Sequence, residues 1–337
     1  MIIKDNKKLL IVGNISSIHT NNLLALVGGY FSKSEILDSR PFSLHRPIRL
    51  IKEIFRARKL IKHFRPSIII LYQIDIAAFF VTLIKGKIPT LVVGIGSDVL
   101  VMPKKSKMNY FLAKFVINKG SYFNAGSKEI AQRMTTISSK NIDILLANLG
   151  TDDILPKTKE NIIFSNRLHK NLYHIDNIID AFALFLRDGK HNDWLLVIAA
   201  NGNEEEYKEQ IHRLGIEKNV RLVGWLNKEQ NAHYYSISKI WVSMAESDSI
   251  SISLLEAMSS KCIPICYDVP ALNGFLINDK DAVIVKDMTE NYFLRALSLD
   301  NDEVLSANRQ KARNFADKET NCQRFYSLFD NAFKANT

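Results

Sequence analysis

Two acidic residues eight positions apart follow a short apolar run in the second half of the chain. The apolar run, residues 240–242, predicts a buried strand, and the polar segment 246–249 predicts a turn after it. Residues 254–258 then predict a helix. This spacing puts Asp248 at the mouth of the turn and Glu256 on the first or second turn of the helix.

A strand, a turn and a helix in this order can form a binding site for phosphate. The first N–H groups of a helix have no partners within it, and the helix dipole adds partial positive charge there. One acid could then face a group beyond the phosphate, while the other could accept hydrogen bonds from a ribose diol. A nucleoside diphosphate sugar offers both groups. The alternative is an amphipathic helix whose acids only bias the charge at its N-terminus.

The segment also resembles a family pattern. Retaining glycosyltransferases of family 4 carry an acid, seven residues and Glu-Ala-Met in their C-terminal domain, which here is Asp248-x7-Glu256-Ala257-Met258. The resemblance is closest to the branch with Asp in a Ser-Asp-Ser-x-Ser setting, and it is specific between Ser247 and Met258. It implies that Glu256 holds the ribose and that Asp248 contacts the transferred sugar. It also implies that the backbone N–H groups of Ile252, Ser253 and Leu254 hold the diphosphate at the start of the helix, with Ser251 beside them in the nucleotide-sugar site.

An arginine follows the strand that is predicted at residues 161–164. The resemblance implies that Arg167 neutralises the donor diphosphate, and a guanidinium fork matches phosphate oxygens in a bidentate way. The family commonly has a lysine five residues later, but Leu172 stands there, so Lys170 is the candidate substitute. The alternative for Arg167 is a surface cation at the end of a strand.

Two further turns of the second half are implied to border the nucleotide. Residues 200–204 resemble the family's Gly-x-Gly-x-Glu turn, with Ala200 in place of the first glycine, and make Gly202 a candidate. The segment after Gly224 borders the base in the family, which makes Trp225 a candidate.

The chain departs from the family pattern at three positions of the second half. The family commonly has Glu where Gly274 stands, a helix-ending Gly where Lys261 stands and a Gly where Ala282 stands. The first departure matters most, because that Glu lies near the donor site. It bears on the identity of the sugar and motivates a non-catalytic alternative.

The first half offers candidates for an acceptor site. Gly13 and Asn14 form the turn after the first predicted strand, and Gly13 would let backbone approach a ligand closely; an ordinary tight turn is the alternative. His19 begins the helix predicted over residues 19–31. Gly-Ser-Asp at residues 96–98 resembles a Trp-Gly-Ser-Asp turn of the same branch, and Asp98 could bind an acceptor hydroxyl or cap the next helix. One glycine does not make a dinucleotide fingerprint, so an NAD site is not expected.

Apolar runs alternate with helical segments along the chain, which is typical of parallel α/β sheets. The predicted strands span residues 9–12, 67–72, 90–93, 122–125, 142–147, 161–164, 194–200, 220–223, 240–242 and 263–266. The predicted helices include residues 19–31, 76–84, 175–186 and one or two between 302 and 334. With 337 residues, two domains are expected.

The resemblance identifies the architecture as GT-B, in which two Rossmann-like, doubly wound parallel-sheet domains face a central cleft. We expect an N-terminal acceptor-binding domain over residues 1–155 and a C-terminal nucleotide-sugar-binding domain over residues 156–315. A last helix over residues 316–337 is expected to cross back to the N-terminal domain.

The cysteines and acids do not predict a metal site or a cofactor. Cys262, Cys266 and Cys322 lack metal or redox spacing and indicate reduced thiols in the core. Asp152 and Asp153 are adjacent rather than spaced as Asp-x-Asp. The first residues do not predict a signal peptide, and the apolar stretch 66–96 is interrupted by polar residues and does not predict a membrane span.

Charge is distributed unevenly between the two halves. Residues 1–155 hold 23 Lys and Arg against 10 Asp and Glu, a net charge of +13, whereas the remainder has a net charge of −3. The amphipathic segment 45–65 contributes most of the excess, which favours an anionic membrane surface as partner. Its basic residues include Arg46, Arg49, Lys52, Arg56, Lys59 and Lys62. The alternatives are a solvated helix face packed on a sheet, or nucleic acid. We expect the segment to lack exposed aromatics interleaved with its basic residues, and the chain contains no recognised nucleic-acid module, so nucleic acid is not the expected partner.

The resulting hypothesis is a retaining, metal-independent glycosyltransferase that moves a sugar from a UDP- or GDP-sugar to a glycan or lipid-linked acceptor. Bacterial lipopolysaccharide, capsule or exopolysaccharide synthesis is the expected setting, at the cytoplasmic face of the cell membrane. Three alternatives remain: a nucleotide-sugar epimerase of the same fold, a degenerate glycosyltransferase that acts as a scaffold, and a nucleic-acid-binding protein suggested by charge alone.

Overall fold

The structure, a computed structural model, describes residues 4–202, 204–248 and 250–334. The chain divides into two compact units, one formed by residues up to 150 together with those from 318 onward, the other by residues 151–317. Ser249 of the predicted turn and Asn203 of the Gly-x-Gly turn lie outside the described residues. No helix in the described ranges is long and apolar enough to cross a membrane.

The first unit is built on a six-stranded parallel sheet. Its strands are β1 (Lys4–Gly13), β2 (Phe31–Asp38), β3 (Ile68–Tyr72), β4 (Thr90–Gly94), β5 (Tyr122–Ala125) and β6 (Ile144–Leu146). They lie in the order β2-β1-β3-β4-β5-β6, so the direction of strand addition reverses beside β1.

Helices connect these strands. They are α1 (Ile18–Val27), α2 (Pro47–Phe64), α3 (Ile76–Ile84), α4 (Ser97–Leu100), α5 (Met102–Lys105), α6 (Lys107–Lys119) and α7 (Lys128–Ile137). Parallel strands need such crossovers, because the chain must return to the same end of the sheet after each strand.

The second unit repeats the plan with another six-stranded parallel sheet. Its strands are β7 (Glu160–Ser165), β8 (Leu195–Ala199), β9 (Val220–Gly224), β10 (Ser238–Ser243), β11 (Ile263–Tyr267) and β12 (Val283–Val285). Their order is β12-β11-β10-β7-β8-β9, so the reversal lies between β7 and β10.

The helices of the second unit are α8 (Ile175–Leu186), α9 (Glu204–Leu214), α10 (Lys228–Ile237), α11 (Ile252–Ser259), α12 (Tyr292–Leu297) and α13 (Asp302–Ala316). The last helix, α14 (Lys318–Lys334), belongs to the first unit. There Phe329 lies 5.3 Å from the ring of Tyr30 and 5.1 Å from that of Phe31, and the Tyr30 hydroxyl donates to Asp330 at 2.6 Å. The C-terminal residues therefore complete the core on one face of the first sheet.

Burial on both faces explains the sequence pattern of the strands. In β1, Leu9 and Ile11 join the core beneath α1 and α14, whereas Leu10 and Val12 join the core beneath α2, α3, α6 and α7. All four residues are at most 1% exposed. Strands covered by helices on both sides are apolar throughout, because no face meets water.

The predicted fold class is confirmed, and each of the ten predicted strands is present. The predicted helix over residues 19–31 is wrong at its end: α1 stops at Val27, a 3₁₀ turn follows, and Phe31 opens β2. The sequence pattern does not predict strand β2. This strand lies at the edge of the sheet and its burial is irregular, with Ser32 and Lys33 exposed, so its sequence is not a continuous apolar run. The short strand β12, which also lies at an edge, was missed as well.

A close backbone approach holds two loops of the second unit together. His169, after β7, and Gly202, after β8, form an isolated parallel bridge, and the His169 N–H donates to the Asn201 carbonyl at 3.2 Å. Gly202 has a φ of +155°, and a Cβ there would lie 2.3 Å from His169 Cβ and 2.4 Å from its carbonyl oxygen. Only glycine fits this position without moving the loop that carries Arg167.

We predict that Gly202→Ala lowers the free energy of unfolding by about 2–4 kcal/mol, because strain and backbone overlap add together. Gly215→Ala is the matched control: its φ is +68°, but a Cβ would meet no atom within 4 Å, so only the left-handed backbone cost of about 1–2 kcal/mol applies. Urea denaturation of both variants measures the difference. Equal losses would mean that the contact with His169 contributes nothing.

Candidate functional site

The reversal of strand order in the second sheet brings two loops to one place. Strands β7 and β10 are neighbours, and the segments after them leave the same edge of the sheet. The Glu246 N–H donates to the Leu172 carbonyl at 3.1 Å, and His174 Nε2 lies 2.8 Å from Glu246 Oε1. Ligands of open α/β sheets bind at such a switch point, outside the carboxyl ends of the strands.

Arg167 and Asp248 form an ion pair across this junction. The Arg167 side chain is only 10% exposed, and its guanidinium carbon lies 4.7 Å from the centre of the Tyr173 ring. Its Nε is buried and has no hydrogen-bond partner in the part of the chain that the structure describes. The family resemblance assigns Arg167 to the donor diphosphate and Asp248 to the transferred sugar, whereas in the structure the two side chains contact each other. Lys170, the candidate substitute for the missing lysine, is exposed.

Helix α11 begins beside this pair. Ser251 is its N-cap, and the Ser251 hydroxyl accepts a hydrogen bond from the Leu254 N–H at 3.3 Å. Of the three N–H groups predicted to hold a diphosphate, that of Leu254 is therefore already bound by the cap. The N–H groups of Ile252 and Ser253 belong to the first turn, where no intrahelical carbonyl can accept them.

A small pocket opens next to the start of α11. It lies between the ends of β10 and β11, and both Asp248 and the N-cap Ser251 contribute to its wall. The lining residues are Trp241, Ser243, Ala245, Asp248, Ser251, Leu254, Cys266, Tyr267, Val269 and Leu272. The pocket combines one acid and a helix N-terminus with an apolar floor, an arrangement that suits a ligand with both polar and apolar surfaces.

Glu256 is the fifth residue of α11 and is partly buried. Burial raises the pKa of its carboxyl to about 7, and the Asp152 carboxylate acts in the same direction. A hydrogen bond from Tyr235 and the positive charge of Lys228 oppose that rise in pKa. Lys228 and Asp152 are themselves an ion pair. The carboxylate thus lies in an environment in which hydroxyl donors would stabilise its charged form.

The other nucleotide candidates have different surroundings. Trp225 follows β9 and is 65% exposed, so one large aromatic face is open to solvent. Gly202 is where the loops after β7 and β8 meet, as described above. Gly274, where the family commonly has Glu, has a φ of +75°, and a Cβ there would meet nothing within 4 Å. A glutamate in this position would be strained by the left-handed backbone rather than crowded by neighbouring atoms.

The acceptor candidates of the first unit lie at the carboxyl ends of its strands. Gly13 ends β1, and Asn14 begins the next turn, in which the Asn14 side chain accepts from the Ser16 N–H at 2.9 Å. His19 is exposed on α1. Asp98 is only 2% exposed and accepts hydrogen bonds from the N–H groups of Ile74, Ile95 and Gly96. The prediction that Asp98 caps the next helix is wrong, because Asp98 lies within α4, whose N-cap is Gly96, and its partners are loop N–H groups before that helix. These hydrogen bonds and its burial leave Asp98 little access to an acceptor hydroxyl.

Sequence reasoning missed the polar residues that support Glu256. Asn166, Tyr235 and Trp241 are linked by hydrogen bonds and belong to the end of β7, to α10 and to β10. Asn166 is adjacent to the predicted site residue Arg167 in the sequence. Tyr235 and Trp241, by contrast, have the sequence pattern of ordinary core residues. No local signal could have found their link, because the three residues come from separate elements. The described part of the chain holds no cluster of three or more His, Cys, Asp or Glu suited to a metal ion.

Comparison with known families assigns both halves of the chain. The model for Glycosyl transferases group 1 matches residues 152–316, and that for Glycosyl transferase 4-like matches residues 29–127. The alpha-monoglucosyldiacylglycerol synthase of Streptococcus pneumoniae is 28% identical over 147 residues, which are 43% of this chain and 31% of that protein. The match thus spans about a third of the length of this relative.

Solved structures resemble the whole chain. HepE of Anabaena, solved with UDP and glucose, has a TM-score of 0.73 and 12% identity, and the likeness covers 96% of this chain and all of that one. Sucrose-phosphate synthase of Thermosynechococcus elongatus has a TM-score of 0.76 and 12% identity, with 98% of this chain and all of that one covered. Identities this low show the fold alone. Together with the family matches, they show that the chain belongs to the group 1 glycosyltransferases and has the GT-B fold.

Proposed function

We propose that the protein transfers a sugar from a nucleoside diphosphate sugar to a glycan or lipid-linked acceptor, with retention of configuration at the anomeric carbon. The observation that carries the proposal is the meeting of Arg167, the N-terminus of α11 and Glu256 at the switch point of the second sheet. A diphosphate, a ribose and a sugar are the three groups that this set of side chains fits.

The proposed roles follow from charge. Negative charge builds on the leaving diphosphate as the glycosidic bond breaks, and a fixed guanidinium and a helix N-terminus stabilise it there. Arg167 would leave its ion pair with Asp248 to meet the diphosphate, with Lys170 as a second cation, while Asp248 turns to the sugar hydroxyls. Glu256 would accept hydrogen bonds from the ribose, and Trp225 would cover the base. This stabilisation comes from the chain itself, so transfer is expected without added metal.

We propose a lipid-linked or cell-surface glycan as the acceptor, held by the first unit through Gly13, Asn14 and His19. The pneumococcal relative is named for a glycolipid product, and HepE was solved with UDP and glucose, which supports both the acceptor class and a UDP-sugar donor. Synthesis of a bacterial surface polysaccharide, at the cytoplasmic face of the membrane, is the setting proposed for this reaction.

Exposed apolar residues on helix α2 support the proposal of a membrane partner, in addition to the positive charge of the helix. Its buried side is formed by Leu50, Ala57, Ile61 and Phe64. Ile48, Ile51 and Phe55, spaced three and four residues apart, are 74%, 54% and 67% exposed, although a helix merely packed on a sheet would bury such residues. The basic residues on the same helix are also exposed: Arg46, Arg49, Lys52, Arg56, Lys59 and Lys62. Apolar side chains among cations suit an anionic lipid surface, and we propose that α2 lies on it.

We predict that UDP or GDP, with or without Mg²⁺, raises the melting temperature, because a ligand that binds the native state stabilises it by mass action. Arg167→Ala should abolish the rise, whereas Arg187→Ala, an exposed arginine at the end of α8, should retain it. Asp248→Asn should strengthen binding of the free nucleoside diphosphate by releasing Arg167, yet reduce sugar transfer. No shift with any nucleotide would contradict the donor site and favour the scaffold alternative.

We also predict that the triple variant Arg49→Glu, Lys52→Glu, Lys59→Glu loses at least about tenfold in affinity for phosphatidylglycerol vesicles, since each basic residue near the surface contributes about 1 kcal/mol. Ile51→Ser with Phe55→Ser should weaken binding even at high salt, where electrostatic attraction is screened. Sedimentation with vesicles measures both effects. The control reverses Arg187, Arg213 and Lys218 of the second unit and should bind as wild type. Equal binding of all variants would refute contact through α2.

A further inference from the structure

We infer that Tyr235 is a positioning residue for Glu256, and that a buried chain of hydrogen bonds from Trp241 through Asn166 aims the Tyr235 hydroxyl proton at the Glu256 carboxylate. The inference deepens the proposed function and rests on it, because it assigns a support to the carboxylate that is proposed to hold the ribose.

The chemistry of Trp241 sets the direction of the chain. An indole N–H can only donate, so its contact of 3.0 Å with Asn166 identifies the amide oxygen of Asn166 as the acceptor. The amide nitrogen of Asn166 must then face the other way, where it donates to the Tyr235 oxygen at 2.7 Å and to Asn231 Oδ1 at 3.0 Å. The orientation of Asn231 is consistent with this direction, because its own amide nitrogen donates to the backbone carbonyls of Leu226 and Asn227, which leaves its amide oxygen to accept from Asn166.

The Tyr235 hydroxyl therefore accepts from Asn166 and has its own proton left to donate. That proton is assigned to the Glu256 carboxylate because the Tyr235 hydroxyl lowers the pKa of that group, and the Ser253 hydroxyl is a further neighbour of the Tyr235 oxygen. Ser253 and Glu256 lie three residues apart on α11. The Tyr235 hydroxyl is therefore a neighbour of both the predicted diphosphate-binding turn and the acid that is predicted to bind the ribose. A charged acceptor gives a stronger hydrogen bond than a neutral one.

Packing holds the Tyr235 ring independently of its hydroxyl. Tyr235 is fully buried, and the Phe164 ring meets it edge-on at 5.3 Å. Trp241 is 1% exposed and belongs to the central strand β10. Tyr235→Phe would thus keep the core contacts and remove only the interactions of the hydroxyl, with Asn166, Glu256 and Ser253.

The charged groups around Glu256 give the variant an electrostatic signature. Asp152 disfavours the ionised carboxylate, whereas Lys228 and the Tyr235 hydroxyl favour it. Loss of the hydroxyl removes a stabilising donor, so the pKa of Glu256 should rise above its value of about 7 in the intact chain. If ribose binding needs the ionised acid, nucleotide affinity in the variant should recover only at higher pH.

The test compares UDP with 2′,3′-dideoxy-UDP by calorimetry, with the corresponding guanosine pair in parallel. The wild type should prefer the ribose form, and Glu256→Gln should lose the preference. Tyr235→Phe should reduce affinity for the ribose form about five- to tenfold more than that for the dideoxy form, and shift the pH midpoint of binding of the ribose form upward. A variant that is merely less stable would weaken both ligands alike and leave the pH midpoint unmoved.

Tyr234→Phe is the matched control, since it removes a hydroxyl from the adjacent residue of α10, whose ring stacks on Phe164 at 5.2 Å. It should bind as wild type. If Glu256→Gln loses the ribose preference while Tyr235→Phe keeps it with an unmoved pH midpoint, the inference is overturned and the donor site stands. If the wild type binds neither diphosphate, the donor site itself fails, and the inference fails with it.

Discussion

The pairing of β7 with β10 is the constraint on which the second unit depends. These strands are separated by more than seventy residues in the chain, yet they lie side by side at the centre of the sheet. Because both are parallel and both end at the same edge, their following segments must meet. The proposed donor contacts of Arg167, Asp248 and Glu256 are organised by that meeting, and the buried chain through Asn166 and Trp241 links the same two strands.

The sequence was sufficient for the architecture because burial on both faces makes each central strand a continuous apolar run. It failed at β2, whose burial is irregular, and at β12, which is fully buried but only three residues long. Local patterns also located Asp248 and Glu256, since strand, turn and helix are adjacent in the chain. They could not reveal that Asp248 pairs with Arg167, which lies 81 residues away and becomes a neighbour only through the sheet.

The backbone φ angles describe what happens at positions where the chain departs from the family pattern. Ala200 and Lys261, which replace family glycines, have φ values of +78° and +60°, so the chain retains the left-handed conformation without the residue that favours it. Gly274 shows the reverse case, in which glycine appears together with a left-handed backbone where the family has a glutamate. A left-handed conformation costs a non-glycine residue about 1–2 kcal/mol, which applies to Ala200 and Lys261, whereas glycine at position 274 adopts it without that cost.

The ion pair of Arg167 and Asp248 has a consequence for which anions the site attracts. A helix N-terminus with an unpaired arginine would concentrate any small anion from solution. Here an internal carboxylate already occupies the guanidinium, and its effective concentration is high because both groups are tethered to neighbouring strands. Entry of a diphosphate at the proposed donor site would therefore be an exchange of anions rather than an addition. Free phosphate, which gains nothing from a ribose or base contact, would compete poorly in such an exchange, so the ion pair would favour ligands that bind at several points at once.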